Sequence, residues 1–473
     1  MFTFITCAVL LFVAYFTYGK FVESKLGIDG NRPVPSATLA DGVDYVAMPL
    51  WRVFLIQLLN IAGTGPVFGA IAGAMWGPAA FLWITFGNIF GGAVHDLLVG
   101  IMSIRSKGGS ISELVGENLG DSMRKLMGVF SVILLLLVGV VFITSPADIL
   151  ANLTGINRWA IIAVIFVYYI IATIVPVDKL IGKLYPVFGA ALIIMCLGIF
   201  GGMIINGQFF NIPELSFINP HIAGKSIFPY LFISIACGAI SGFHATQTPM
   251  MARCIQTEKD SRKAFYGAMI TEGYIALIWA AAAMTFFGGY QGLADAGAAP
   301  VVVNAISTGL MGTVGAVLAV LGVVALPITS GDTAFRALRL TVADFFNISQ
   351  DNIAERFKIA IPAFICAFVL LFIDFNIIWR YFGWSNQTLA TFALWTGAAW
   401  LKKHGKSPLV ALLPAMFMTV VVTTYILVAP EGFGFLTIEP LGGVKNAELL
   451  GIVIGSLLSL SIAYLFNKNI TKK

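Results

Sequence analysis

Charge is scarce in this chain. Of its 473 residues only 11% are Asp, Glu, Lys or Arg, while 59% are hydrophobic and the mean hydropathy is +0.92. Soluble globular domains carry about 25% charged residues. The deficit leaves little room for a soluble domain or a signalling module, and no nucleic-acid partner is expected. Cysteine is sparse and scattered. Cys7, Cys196, Cys237, Cys254 and Cys366 show no CxxC or metal-ligand spacing. Each reads as a small apolar packing residue, so neither a disulfide framework nor a metal centre is expected. Missing too are a basic leader and a small-residue cleavage site around Met1-Phe2-Thr3-Phe4. The first apolar stretch therefore reads as a retained helix, not a signal peptide.

Long apolar sequence is what remains. A membrane helix needs about 20 mostly apolar residues. Thirteen stretches qualify, near 2–19, 50–76, 79–104, 126–147, 158–175, 184–205, 227–256, 264–287, 305–333, 356–374, 382–401, 408–428 and 447–467. The second, seventh and ninth are long because they contain breaks or a proline. Cytoplasmic loops carry the Lys/Arg excess. Taking alternate loops, beginning after the first span, puts 24 of the 28 Lys and Arg on one side, including Lys179, Lys183, Lys468, Lys472 and Lys473. Arg158, Lys225, Arg380 and Lys445 fall on the other. A missed or invented span would scramble this alternation. The N-terminus is thus expected outside a bacterial inner membrane and the C-terminus in the cytoplasm.

Two spans are interrupted at membrane depth. One passes through Asn60, Ile61, Ala62, Gly63, Thr64, Gly65 and Pro66, the other through Ser241, Gly242, Phe243, His244, Ala245, Thr246, Gln247, Thr248 and Pro249. Hydrocarbon satisfies no freed backbone group, so such breaks survive only where protein or a watery cavity receives them. Pro66 and Pro249 read as helix restarts, because a missing N–H costs nothing in a first turn. The restarted half-helices aim their positive ends at the membrane middle, where a carboxylate is favoured. Each break alone reads equally as a proline kink with small residues for packing. Their places match, however. Spans 2–6 (50–205) and 7–11 (227–401) form two sets of five in opposite orientation, each opening with a broken helix. This all-α polytopic pattern resembles the five-plus-five inverted repeat of LeuT-type transporters. Residues 1–49 hold the first helix and a cytoplasmic loop, and 408–473 hold two further helices, all in one integral membrane domain.

Ionisable residues at this depth are costly and read as functional. Asn60, Gly63, Thr64, Gly65, Ser241, Gly242, His244, Thr246 and Gln247 form the expected substrate-binding set at the breaks. His244 would bond substrate or take a proton, or stand neutral against backbone carbonyls. His95, Asp96 and Glu272 are candidates for ion coupling. Asn88, Gly92 and His95 share one helix face, with Asp96 offset by about 100°. For His95 a plain polar contact to a neighbouring helix is an equal reading. Thr329, Ser330 and Thr333 fit a sodium-like oxygen shell, and Asp332 beside them offers a titratable carboxylate. Asp332 also reads as a helix cap leading to Arg336 and Arg339. Asp374 and Arg380 read as a solvated pair, and Asn386-Gln387 as the opening of span 11, facing the cavity.

Several motifs together carry a more specific resemblance. They are Asn31-Arg32-Pro33-Val34-Pro35, Asp41-Gly42-Val43-Asp44-Tyr45-Val46, Ile61-Ala62-Gly63-Thr64-Gly65-Pro66 and Gly92-Ala93-Val94-His95-Asp96. Ser103-Ile104-Arg105-Ser106-Lys107-Gly108-Gly109-Ser110, Glu272-Gly273, Thr329-Ser330-Gly331-Asp332-Thr333-Ala334 and Asn386-Gln387-Thr388-Leu389-Ala390 extend it over most of the chain. The whole resembles the carbon starvation protein A (CstA) family. The resemblance implies the amino acid–polyamine–organocation superfamily, with uptake of peptides or small carboxylates such as pyruvate, coupled to protons. The chain differs from long members of that family mainly beyond span 11, where it is shorter, and in His95, where Gln is expected in many relatives. The expected function is a secondary transporter in the lipid bilayer for a small carboxylate or short peptide. Its coupling ion is H⁺ or Na⁺, and it has no other cofactor. A sodium-coupled amino-acid or peptide symporter, or a channel or nutrient sensor on the same scaffold, is the alternative. No nucleophile–base or metal constellation supports an enzyme. Self-association into a homo-oligomer stays open.

Overall fold

The computed structural model describes residues 1–42, 44–174, 177–216, 218–346, 348–350 and 352–470. Val43, the predicted end of the fifth span at Val175, and Lys472 and Lys473 lie outside the described residues, as do the side chains of Lys179 and Lys183. Among the described residues the chain is helical throughout, with no strand. In chain order the α-helices of eight or more residues are α1 (Phe2–Phe16), α2 (Tyr18–Leu26), α3 (Leu50–Ile61), α4 (Thr64–Gly73), α5 (Ala79–Phe86) and α6 (Ala93–Arg105). Next come α7 (Ile111–Leu119), α8 (Asp121–Thr154), α9 (Arg158–Ile174), α10 (Val177–Ile205), α11 (Gly242–Ala252) and α12 (Gly267–Phe286). The last are α13 (Ala299–Ala319), α14 (Leu326–Phe346), α15 (Ile353–Leu370), α16 (Phe375–Lys403), α17 (Leu409–Val428) and α18 (Val444–Ile470). Among the described residues, eight helical stretches can cross a membrane by length and composition, or nine if the bent pair α3 and α4 counts as one.

Burial is arranged for a lipid solvent. Large apolar side chains such as Val164, Leu197, Ile365 and Leu457 are exposed, while Asn88, Asp96, His244 and Glu272 are fully enclosed. Lipid tails are as apolar as leucine, so helices gain little by hiding apolar faces and pack instead through small residues and polar contacts. The chief helix pairs are α8 with α14, α17 with α18, α16 with α8 and with α17, α4 with α12, and α11 with α6 and with α16.

The first break lies where the sequence puts it. The chain turns through 46° between α3 and α4. Ala62 and Gly63 leave helical geometry, and Gly63 takes φ −64°, ψ −135°. Thr64, Gly65 and Pro66 then open α4, where the proline lacks only an N–H that would find no helical partner. The second break lies elsewhere. A short helical piece ends at Ser234, residues 235–241 are unwound, and α11 starts at Gly242. Pro249 sits inside α11, so it does not mark the restart, and His244, Thr246 and Gln247 belong to the helix instead of lining a gap. The turn depends on Gly238, whose φ of +88° disfavours any side chain.

Other boundaries move for local reasons. Gly312, at φ +60°, interrupts α13, and the chain runs helical from there to Phe346. The ninth predicted span therefore does not break at Pro327. A π-helical stretch, Val320–Ala325, precedes that proline and widens the backbone where its ring would clash. Asp332 lies well inside α14, which rules out its reading as a cap. Asp374, by contrast, caps α16 through the backbone N–H of Asn376 at 2.9 Å, so this helix begins seven residues before the predicted 382.

At one end of the bundle the segment between α2 and α3 is strapped down. Glu258 is fully buried and accepts from Arg32 Nη1 at 2.9 and 3.0 Å, from Arg105 Nε at 2.6 Å and from the Asp29 N–H at 2.7 Å. Arg105 also donates to the carbonyls of Leu26 and Gly27 and lies over the Trp400 ring. Ser36 bonds the Ile255 carbonyl at 2.6 Å, and the Met48 N–H bonds the Cys254 carbonyl at 2.9 Å.

Candidate functional site

Unwinding 235–241 frees backbone carbonyls that hydrocarbon cannot satisfy. Side chains from three helical segments take them up. Trp83 Nε1 donates to Ile235 O at 3.1 Å and Gln387 Nε2 to Phe232 O at 3.1 Å. Asn88 Nδ2 donates to Gly238 O at 3.0 Å and to Met269 O at 2.7 Å. Asn386 serves the other side of the break. Its Oδ1 accepts the Phe243 N–H at 2.7 Å and the Ser241 hydroxyl at 3.1 Å, which caps the first turn of α11. The positive end expected to hold a substrate carboxylate at Ser241 and Gly242 is therefore already engaged by an amide oxygen.

The two breaks touch. A Cβ on Gly65 would stand 2.4 Å from Cys237 Sγ, so only glycine lets α4 lie this close to the unwound segment. Gln57 Nε2 adds a bond to Thr248 Oγ1 at 3.0 Å, tying α3 to α11. Ser330 Oγ reaches the Leu59 carbonyl at 3.3 Å, in the last turn before the first break. Thr329 and Thr333 bond backward to Leu326 O and Ser330 O, both at 2.8 Å. Thr246 bonds Phe243 O at 2.6 Å and receives Gln247 Nε2 at 3.0 Å. Asn60 lies buried in the final turn of α3.

Beside the second break runs a line of ionisable groups. His95 Nδ1 stands 2.8 Å from Asp96 Oδ1, Asp96 Oδ2 stands 3.2 Å from His244 Nδ1, and His244 Nε2 stands 3.6 Å from Glu272 Oε1. The side chains of all four are fully buried. Asp96 reaches His244 because Gly87–Gly92 forms a π-helical stretch. Its extra residue rotates the later turns past the face that a 3.6 period implies. Several buried polar atoms of this line and of the two broken spans have no hydrogen-bond partner among the described residues. They are Thr64 Oγ1, His95 Nε2, His244 Nε2, Gln247 Oε1 and both Glu272 oxygens. Such groups in a native protein call for water, an ion or a ligand.

Two placements differ from expectation. Asp332 is not brought to this line. It lies 3.9 Å from Arg336 Nη2 in a cleft with Tyr169, Arg339 and Phe364, although Ser330 on the same helix faces the first break. Cys237, read as packing, sits at the centre. Its Sγ lies 3.4 Å from Ser241 Oγ and 3.7 Å from Asn386 Nδ2, and it shares a 4.8 Å neighbourhood with His244 and Glu272. That trio is one ligand short of a closed tetrahedral zinc site. Only the unwinding around Gly238 distinguishes Cys237 from the other buried thiols, and a single glycine is a weak signal.

A helical bundle that exposes leucine and valine while enclosing a histidine flanked by two carboxylates is a multi-pass membrane protein. The chain matches the family model of the carbon starvation protein CstA over residues 1–154, 143–291 and 280–425, and it belongs to that family. It is 40% identical over 348 residues to a membrane protein of Haemophilus influenzae, covering 63% of this chain and 94% of that one. The peptide transporter CstA of Bacillus subtilis is 28% identical over 347 residues, covering 58% of this chain and 56% of the relative. The pyruvate/proton symporter BtsT of Escherichia coli is 26% identical over 339 residues, covering 56% and 46%. This chain thus spans about half the length of those two transporters. Among solved structures, the manganese transporter of Eremococcus coleocola bound to an aromatic bis-isothiourea compound superposes with a TM-score of 0.53 at 12% identity, covering 92% of this chain and 99% of that one. A mutant of that transporter gives 0.55 at 11%, with the same coverage. At such identity the likeness is one of fold alone.

Proposed function

We propose that this chain is a secondary active transporter of a bacterial inner membrane. It imports a small, pyruvate-like carboxylate or a short peptide together with a proton, by alternating access. The observation that carries this reading is the buried Asp96–His244–Glu272 line at the second break. With both carboxylates ionised and the imidazole protonated, the trio bears one net negative charge. One further proton makes it neutral. A group that gains and loses a proton inside a membrane is suited to coupling, and it lies where two touching helix breaks mark a binding region. Two relatives, a peptide transporter and a pyruvate/proton symporter, agree in class.

The same reading includes thirteen spans with the N-terminus outside, and an inverted repeat of 50–205 and 227–401 followed by 408–473. Helix packing supports the repeat. The restarted half-helix α4 of the first unit packs on α12, the second span of the other unit. The restarted half-helix α11 of the second unit packs on α6, in the second span of the first. One observation favours sodium as an alternative coupling ion: Ser330 Oγ meets the Leu59 carbonyl at the first break, and hydroxyl and carbonyl oxygens suit a hard cation.

Purified protein in liposomes decides between these readings. Labelled pyruvate, then di- and tripeptides, are followed under an imposed pH or sodium gradient. Uptake against a concentration gradient that collapses with a protonophore supports proton coupling. Uptake that only equilibrates, whatever the gradient, would sink it. Glu272→Gln is expected to abolish accumulation driven by the pH gradient while sparing exchange, and Asp332→Asn to have the smaller effect.

A further inference from the structure

Above the contact between the two breaks lies a cleft of about 40 Å³, lined among others by Gly65, Ser234, Cys237, Arg380, Gly383 and Tyr425. It has room for a water or two but not for an organic acid. Its floor is the Gly65–Cys237 contact, and Arg380 is its charged wall. Arg380 does not pair with Asp374, which is spent on capping α16. It pairs with Glu431, in the connection between α17 and α18.

We propose that Arg380 is a docking site for a ligand carboxylate at the mouth of this cleft, with Glu431 as the resident carboxylate that the ligand displaces. The proposal rests on the transport reading above and adds where the substrate's charge is first met. Arg380 is 40% exposed, whereas Glu431 is 3% exposed, so the guanidinium is the accessible partner. Their bond runs from Nε to Oε2 at 3.2 Å. Charge-assisted N–H···O bonds are ordinarily about 2.7–2.9 Å, and a guanidinium has five N–H donors in a fork that suits two carboxylate oxygens at once. A single long bond exchanges readily for a bidentate one. Glu431 keeps a second tether when it is displaced, because the Tyr425 hydroxyl donates to its other oxygen. Position completes the argument. Arg380 precedes Asn386 by six residues on α16, a rise of about 9 Å, and it lines the same cleft as Cys237 in the unwound segment that Asn386 caps. Of the other basic residues on this side, Arg158 is committed to Asp148 at 2.5 Å.

Cys237 at the floor is a built-in reporter. The full-length protein in liposomes is treated with a small membrane-permeant thiol reagent, and labelling of Cys237 is timed by site-resolved mass spectrometry, with lipid-facing Cys366 as the internal standard. Glu431→Gln is expected to speed Cys237 labelling at least tenfold and leave Cys366 unchanged. Millimolar pyruvate or dialanine is expected to change the Cys237 rate at least threefold in the unaltered protein and not in Arg380→Gln. The amide of dialanine, lacking the carboxylate, should do nothing. Whether pyruvate, the dipeptide or both act identifies the source of the carboxylate. In uptake, Arg380→Gln should raise KM at least tenfold, Arg380→Lys less, and Arg158→Gln not at all. An unchanged Cys237 rate in Glu431→Gln, equal ligand effects with and without Arg380, or an unchanged KM in Arg380→Gln would overturn the proposal. If the unaltered protein takes up neither compound, the transport reading falls and the labelling results alone decide this one.

Discussion

Helix α16 touches two charged contacts about 30 Å apart, and they are built on opposite plans. At its far end Trp400 lies under Arg105, which shares buried Glu258 with Arg32 and a backbone N–H. Four hydrogen bonds saturate that carboxylate, and neighbouring carbonyls take further donors. At its near end Arg380 makes one 3.2 Å bond to Glu431 and stays 40% exposed. Burial without full pairing is expensive, whereas a pair whose arginine stands open to solvent is partly screened and worth less. One end is therefore locked by a network that must be dismantled together. The other is closed by a contact that water or a competing anion can replace.

Breaking each end in turn tests that contrast. Glu258→Ala leaves two arginines around an empty buried site and should cost about 3 kcal/mol, read as a lowered melting temperature in detergent. An unchanged melting temperature would mean the network is decorative. Gly65→Ala attacks the floor between the ends. The added Cβ meets Cys237 Sγ and Cβ at 2.4 and 2.5 Å, so about 1–3 kcal/mol and most of the uptake should be lost. Cys237→Gly in the same chain removes both obstructing atoms and should recover a large part of that loss. Failure to recover would place the damage elsewhere. Glu431→Gln should cost the least, about 1 kcal/mol or less, with the loss shrinking as salt is raised. A loss as large as that from Glu258→Ala would erase the distinction.

How much of this was legible depends on how local each cause is. The first break was readable because Gly63, Thr64, Gly65 and Pro66 carry their own backbone instructions. The second was misplaced by several residues. Its real determinants are Gly238, which looks like any glycine, and Asn386, which is 143 residues from the N–H that it caps. Pro249 drew the eye because proline is the stronger local sign, yet α11 absorbs it. Asp96 and Glu272 stood out as charges in apolar runs, but their meeting at His244 needed tertiary packing and a π-helical stretch that no period reveals. Glu258 went unnoticed for the opposite reason. A glutamate in a polar loop reads as solvated, and nothing nearby announces that Arg32 and Arg105 will enclose it.

The Asn386 cap has a mechanical consequence. It fixes α16 to the second break about 9 Å from Arg380 and about 21 Å from Trp400. A rod held at that point is a lever with unequal arms. Tilting it by about 10° would carry the Arg380 end roughly 1.6 Å one way and the Trp400 end roughly 3.7 Å the other. The contact with the short throw is the weak one, and the contact with the long throw is the strong one. A tilt of that size still stretches the lone 3.2 Å bond of the short arm past hydrogen-bond range, so the lighter latch must open before the firmer lock can move.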